Sequence, residues 1–203
     1  MKLAPEWHDR LRHWTATLEK DFYRPLGEIS FEGFCTYDHI PPQEALEHSG
    51  YAPVPAGTVW GHQWEYMWLK GEITLPPEAE GQMIVLNLNP GGETTLFVNG
   101  ASFGTYRAGW VSVPHHFIED NILTENGKPG ETYLLQAEAY AGHFYPESTV
   151  AGCSTGPVIP GTYTDPFEGK LRAAMGENTF GIWNEEAYQL WMDVVTLTEV
   201  MSC

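Results

Sequence analysis

The chain is short of cations. Ten Lys and Arg stand against 27 Asp and Glu, for a formal net charge of −17 at pH 7. Such a surface repels nucleic acid and anionic membrane, so neither is expected as a partner. Charged residues are nonetheless only 18% of the sequence, too few for a disordered acidic tail. Cysteine is scarce as well. Cys35, Cys153 and Cys203 lie far apart and none belongs to a C-x-x-C pair. The opening "MKLAPEWHDRLRHW" carries charges where a secretory leader would be apolar. An odd thiol count without a leader predicts reduced cysteines and a cytoplasmic setting. No run approaches the ~18 apolar residues of a membrane span, and there is no N-x-S/T sequon.

Apolar residues are plentiful enough, at 42%, to build a real core, and 21 Gly with 15 Pro predict many turns between short strands. Period-two alternation is clear in "EYMWLKGEITL". Met67, Leu69, Gly71, Ile73 and Leu75 share one face, while Tyr66, Trp68, Lys70, Glu72 and Thr74 share the other. "QMIVLNLN", "GWVSVP" and "ETYLLQAEAYAG" read as further strands, and a late strand is expected around Lys170 to Ala174. Asn99-Gly100 in "TTLFVNGASFGTY" predicts a hairpin, because both central residues of a type I′ turn need positive φ. Strands joined by turns, with no helices between them, make the chain mainly β and a β-sandwich. Helices are expected only at the ends. The first is amphipathic, roughly Pro5 to Asp21, with Trp7, Leu11, Trp14 and Leu18 in one stripe. Three regions follow: a helix and irregular lead-in over 1–56, in which a short strand near Ile29 to Phe34 fits, the sandwich over 57–183, and a final helix over 184–203.

That final helix, "NEEAYQLWMDVVTLTEVMSC", begins with Asn184 as N-cap and two glutamates at the positive end of its dipole. Ala187, Leu190, Trp191, Val194, Leu197 and Met201 form one apolar stripe; Tyr188, Met192 and Val195 form a second beside it. A helix apolar on two sides needs cover on two sides. Either it is sunk in its own core, or the chain is a piece of something larger. The second reading makes Tyr188, Trp191, Met192 and Val195 a docking surface.

Motifs that could carry chemistry fail on context. "GCSTG" at 152–156 matches the G-x-S-x-G elbow, but prolines follow where a helix must start, and no histidine follows Ser154. His115 and His116 are adjacent and would point to opposite faces of a strand. His8 and His13 are five apart, not the four that aligns helical ligands, and His143 with Glu147 is a weak loop pair. Carboxylates are abundant, but no spacing singles out the two that a glycosidase needs. Trp60, Trp64, Tyr106, Trp110, Phe144 and Tyr145 lie in or near expected loops. Such rings can stack a sugar's C–H face, or they bury in cores and interfaces.

An ordered series runs along the chain: a starting amphipathic helix, "GTVWG", "WLKGEITLP", "VNG", "ETYLLQAEAYAG" and "GIWNEEAYQLWMDVVTL". In order and spacing it resembles the N-terminal region of bacterial and fungal-vacuolar type α-mannosidases of glycoside hydrolase family 38, over almost the whole chain. The resemblance implies a jelly-roll sandwich similar to galactose-binding domains, followed by a linker helix into a catalytic barrel. It implies a zinc-dependent retaining α-mannosidase as the parent enzyme, acting on mannose-containing oligosaccharides and assembling as a homo-oligomer. The family's zinc and nucleophile belong to the barrel, and nothing here matches them. No catalytic residue, metal ligand or cofactor is therefore assigned to this chain. Its expected role is that of an accessory domain packing on its own catalytic domain. The alternative is a carbohydrate-binding module with its own sugar site. Trp64, Tyr106, Trp110, His143 and Tyr145 are the expected sugar- or domain-facing residues.

Overall fold

A computed structural model describes residues 4–62, 64–107, 121–142, 171 and 173–202, the side chains of residues 106, 107 and 202 excepted. The elements in chain order are α1 (Pro5–Leu18), β1 (Tyr23–Glu28), β2 (Glu32–Thr36), α2 (Pro42–Leu46), β3 (Ala52–Pro53) and β4 (Val59–Trp60). Then come β5 (Tyr66–Thr74), β6 (Ile84–Asn87), β7 (Glu93–Val98), β8 (Ala101–Arg107), β9 (Ile122–Thr124) and β10 (Thr132–Tyr140). The described chain closes with β11 (Ala173–Ala174), β12 (Thr179–Trp183) and α3 (Glu185–Ser202).

The strands form two main sheets, all pairs antiparallel. One has the order β1-β12-β6-β9, the other β3-β2-β5-β10-β7-β8, and β11 with β4 makes a small third ladder. Alternation decides which side chains meet between them. Leu69 and Ile73 of β5, Leu135 and Ala137 of β10 and Leu96 of β7 face Ile84 and Leu86 of β6 and Phe180 and Ile182 of β12 across one apolar core. Trp60 joins this core and donates its indole N–H to the Pro90 carbonyl at 2.9 Å.

Both outer faces are partly covered. On the four-stranded sheet, Val85 and Trp183 pack with Phe22 and with Tyr188 of α3. On the six-stranded sheet, Phe34 and Trp68 are capped by Ala45 of α2, with Ile40, Tyr51 and Phe97 around them. The helices at the chain ends are brought together by pairing of β1 with β12, since Tyr23 lies opposite Trp183. The chain enters one strand and leaves the other at the same end, so α1 and α3 run side by side. Trp191 of α3 donates its indole N–H to Glu19, just past α1, at 3.1 Å.

The mainly β sandwich with a helix at each end is as expected from the sequence. Within the stretch read as a lead-in, the short strand near Ile29 to Phe34 overlaps β2, whereas β1 departs from expectation; the two strands join different sheets. Pro25 and Gly27 hide β1 in the sequence. Pro is tolerated there because β1 is an edge strand, and its register slips between Pro25 and Gly27. The short strand expected in "GWVSVP" lies outside the described residues, and of the late strand expected around Lys170 to Ala174 the described part includes Ala173–Ala174 as β11.

Candidate functional site

Two surfaces stand out. The first is the helix pair. Ala187, Tyr188 and Trp191 turn toward the four-stranded sheet, where Phe22 meets Tyr188 and Trp191 edge-on at 5.6 and 5.9 Å between ring centres. Asn184 caps α3 through its side-chain oxygen, which accepts the Ala187 N–H at 3.1 Å. Beyond the first turns the helix carries its apolar residues outward. Leu197 is 60% and Val200 68% exposed, with Leu190, Met192 and Met201 exposed beside them. On α1, Trp7 and Trp14 are 54% and 43% exposed, and no residue of that helix is fully buried.

The four residues expected to dock on a neighbour therefore divide. Tyr188 is buried by the chain's own aromatic cluster, so it does not present a ring to a partner. Trp191 and Val195 are half-buried, and Met192 is exposed. The expected stripe on α1 divides too: Leu11 and Leu18 are half-buried while Trp7 and Trp14 face outward.

The second surface is an open cleft of about 430 Å³ on the outer face of the six-stranded sheet, beside the α2 cap. Tyr66, Glu93, Thr94, Thr95, Thr105, Glu138 and Tyr140 line it. Register explains the gathering. Tyr140 lies opposite Tyr66 on one side and Glu93 on the other, while Glu138 lies opposite Thr95, which lies opposite Thr105. The Tyr66 and Tyr140 rings stack at 4.9 Å with 27° between their planes, and the His39 ring tilts against Tyr66 at 4.8 Å. Burial pushes the Glu138 carboxyl above its ordinary range, and the nearby His39 works in the opposite direction. Burial, then the Glu138 carboxylate, pushes the Tyr66 phenol up as well.

Of the five residues expected to face sugar or a domain, Trp64 is half-buried with φ of 70°, two positions before Tyr66. Tyr106 pairs through its backbone with Thr94 on β8. Trp110, His143 and Tyr145 lie outside the described residues, as do Ser154, His115 and His116. Sequence reasoning passed over Tyr66, Glu138 and Tyr140. Alternation places all three on outward faces, but only the pairing of β5 with β10 makes them neighbours.

Among the described residues, no three His, Cys, Asp or Glu side chains gather as a metal site, and no helix is long and apolar enough to cross a membrane. Cys35 is a free thiol; Cys153 and Cys203 lie outside the described residues.

Comparison with known proteins gives two results. The chain is similar to solved structures of a β-glucuronidase from Ruminococcus gnavus. In its complex with N1-substituted uronic isofagomine the match has 16% identity and a TM-score of 0.46, covering 80% of this chain and 30% of that one. The complex with D-glucuronic acid gives 15% identity and a TM-score of 0.46 over 80% and 30%. The apo structure gives 15% and 0.44 over 81% and 29%. The chain thus spans less than a third of the length of these solved chains. No curated protein matches it. A family model for the jelly roll domain of alpha-mannosidase matches residues 28–145, from the end of β1 past the end of β10, which is more than half of the sequence. All six strands of the larger sheet and two of the four in the smaller, β6 and β9, lie in that span, and the chain belongs to the alpha-mannosidase jelly roll domain family.

Proposed function

We propose that this chain serves as the non-catalytic accessory domain of an α-mannosidase, and that its helix pair docks on the catalytic domain of that enzyme. One observation carries the reading. Of the ten large hydrophobic residues exposed among the described residues, seven lie on α1 and α3. Apolar surface gathered in this way marks an interaction face. The family match supplies the occupant, because it is to a domain of α-mannosidase. Hydrolysis of mannosides in mannose-containing oligosaccharides, the zinc that assists it, and any homo-oligomeric assembly are proposed for the parent enzyme. In this reading the jelly roll fixes the two helices, and the helices hold the domain against the rim of the catalytic barrel, where it shapes substrate access. A cytoplasmic setting is proposed with it.

The test is co-elution of the chain with the separately expressed catalytic domain on size exclusion. Wild type is expected to co-elute. Leu197→Glu with Val200→Glu is expected to abolish this while shifting the stability of the chain by no more than about 0.5 kcal/mol, as for surface sites generally. Co-elution of neither protein, or of both alike, would overturn the proposal.

A further inference from the structure

The cleft on the six-stranded sheet has no part in the docking just described. It lies on the other sheet from the one that carries the helices. We propose that this cleft is a binding site for a neutral pyranose, with Tyr140 backed by Tyr66 as its aromatic wall and Glu138, Thr95 and Thr105 as its polar floor.

The wall is a built feature. Two tyrosines directly opposite on adjacent strands hold each other upright by stacking, and His39 braces Tyr66 from the far side, its Nε2 3.4 Å from the phenol oxygen. Rings fixed in this way present area without losing side-chain freedom on binding, and their C–H and π surfaces suit the apolar face of a sugar ring. The floor is polar in a mixed manner. Hydroxyls of Thr95 and Thr105 can donate or accept, and the half-buried Glu138 carboxyl can take a hydrogen bond from a sugar hydroxyl. A volume of about 430 Å³ accommodates one or two such rings, within the range of small-molecule sites.

A neutral ligand fits better than a cation. Burial opposes charge on Glu138, and the Thr95 and Thr105 hydroxyls beside it are uncharged, so this part of the floor offers hydrogen bonds suited to sugar hydroxyls. The ion pairs Arg12–Asp9 and Lys70–Glu32 do not involve Glu138. The nearby His39 offsets that burial only in part, and a ligand hydroxyl can hydrogen-bond to the half-buried carboxyl.

The experiment is a titration of the 203-residue chain with methyl α-D-mannopyranoside and methyl β-D-glucopyranoside, followed by amide chemical shifts in NMR. Glucosamine at pH 6 is the cationic comparator. Saturable shifts at millimolar sugar, centred on β5, β7 and β10, are expected with at least one of the neutral glycosides. Tyr140→Ala is expected to weaken binding at least tenfold. Because that variant could lose structure, Thr105→Trp on the exposed edge strand is the second: it fills the cleft and is expected to abolish the shifts with the fold intact. Silence with both glycosides, shifts centred elsewhere, undiminished binding by Thr105→Trp, or binding of glucosamine alone would each overturn the site. Thr105→Trp is expected to leave co-elution with the catalytic domain unchanged, so failure here is separable from failure of the docking proposal.

Discussion

Cys35 lies on β2 as an exposed residue, yet its thiol is pushed up to about 11. Burial of the sulfur is the larger cause, the Glu65 carboxylate adds to it, and a backbone hydrogen bond at Gly61 opposes both. The thiolate is the reactive species. At pH 8 a thiol of this kind is roughly 0.1% ionised, against roughly a quarter for an ordinary cysteine. A more basic thiolate is a better nucleophile, which recovers about a factor of ten. In a variant with Cys153→Ser and Cys203→Ser, the remaining thiol is expected to react with an aromatic disulfide roughly 20-fold more slowly than free cysteine at pH 8. The rate should keep climbing about tenfold per pH unit to at least pH 9.5. A plateau below pH 9 would show that the carboxylate and the buried setting do not govern this group.

Among the elements, the junction of α1, β12 and α3 decides how the helices sit. Phe22 is its centre, 3% exposed and in ring contact with Trp183, Tyr188 and Trp191. Removing a buried ring of this kind costs about 3–5 kcal/mol, whereas loss of an N-cap costs about 1 kcal/mol. Urea unfolding is therefore expected to rank Phe22→Ala well below Asn184→Ala, with both below wild type. The reverse order would mean that the cap, and not the aromatic cluster, anchors α3. The cap was legible in the sequence, as was the hairpin: Asn99 and Gly100 have φ of 50° and 79°, and the Asn99 side-chain oxygen accepts the Leu134 N–H at 2.9 Å. Local chemistry fixed both. The aromatic cluster was not legible, because Phe22 and Tyr188 meet only through the pairing of β1 with β12, across most of the chain. The same limit hid the cleft. Alternation set Tyr66 on the face opposite Met67 and Leu69, but nothing local to either strand sets the register that stacks it on Tyr140. It also hid which residues of α3 face inward, since Ala187 and Trp191 of one apolar stripe and Tyr188 of the other turn to the sheet together.

For the whole molecule, charge is the dominant long-range term. With 27 acidic and ten basic side chains, repulsion within the folded state is the rule. The ion pairs Arg12–Asp9 at 3.9 Å and Lys70–Glu32 at 3.6 Å lie at the surface and are worth about 0–1 kcal/mol each. Salt should therefore stabilise the chain. Raising ionic strength from about 10 to 150 mM shortens the screening length from roughly 30 to 8 Å, and the urea midpoint is expected to rise. Glu138 adds a pH dependence of known sign. Its folded-state pKa is raised above the ordinary value of 4.5, so the native state holds the proton more tightly than the unfolded chain. The resulting stability is fully present below pH 4.5 and is lost as pH climbs through the raised folded value. Burial opposes ionisation of the wild-type group, so Glu138→Gln is expected to raise the urea midpoint at pH 7. The gain should shrink as the pH is lowered toward 4, where the wild-type carboxyl is itself neutral. A variant less stable than wild type at pH 7 would mean that the carboxylate is held by a favourable partner in the folded chain, and the desolvated-carboxyl account of the cleft would fail with it.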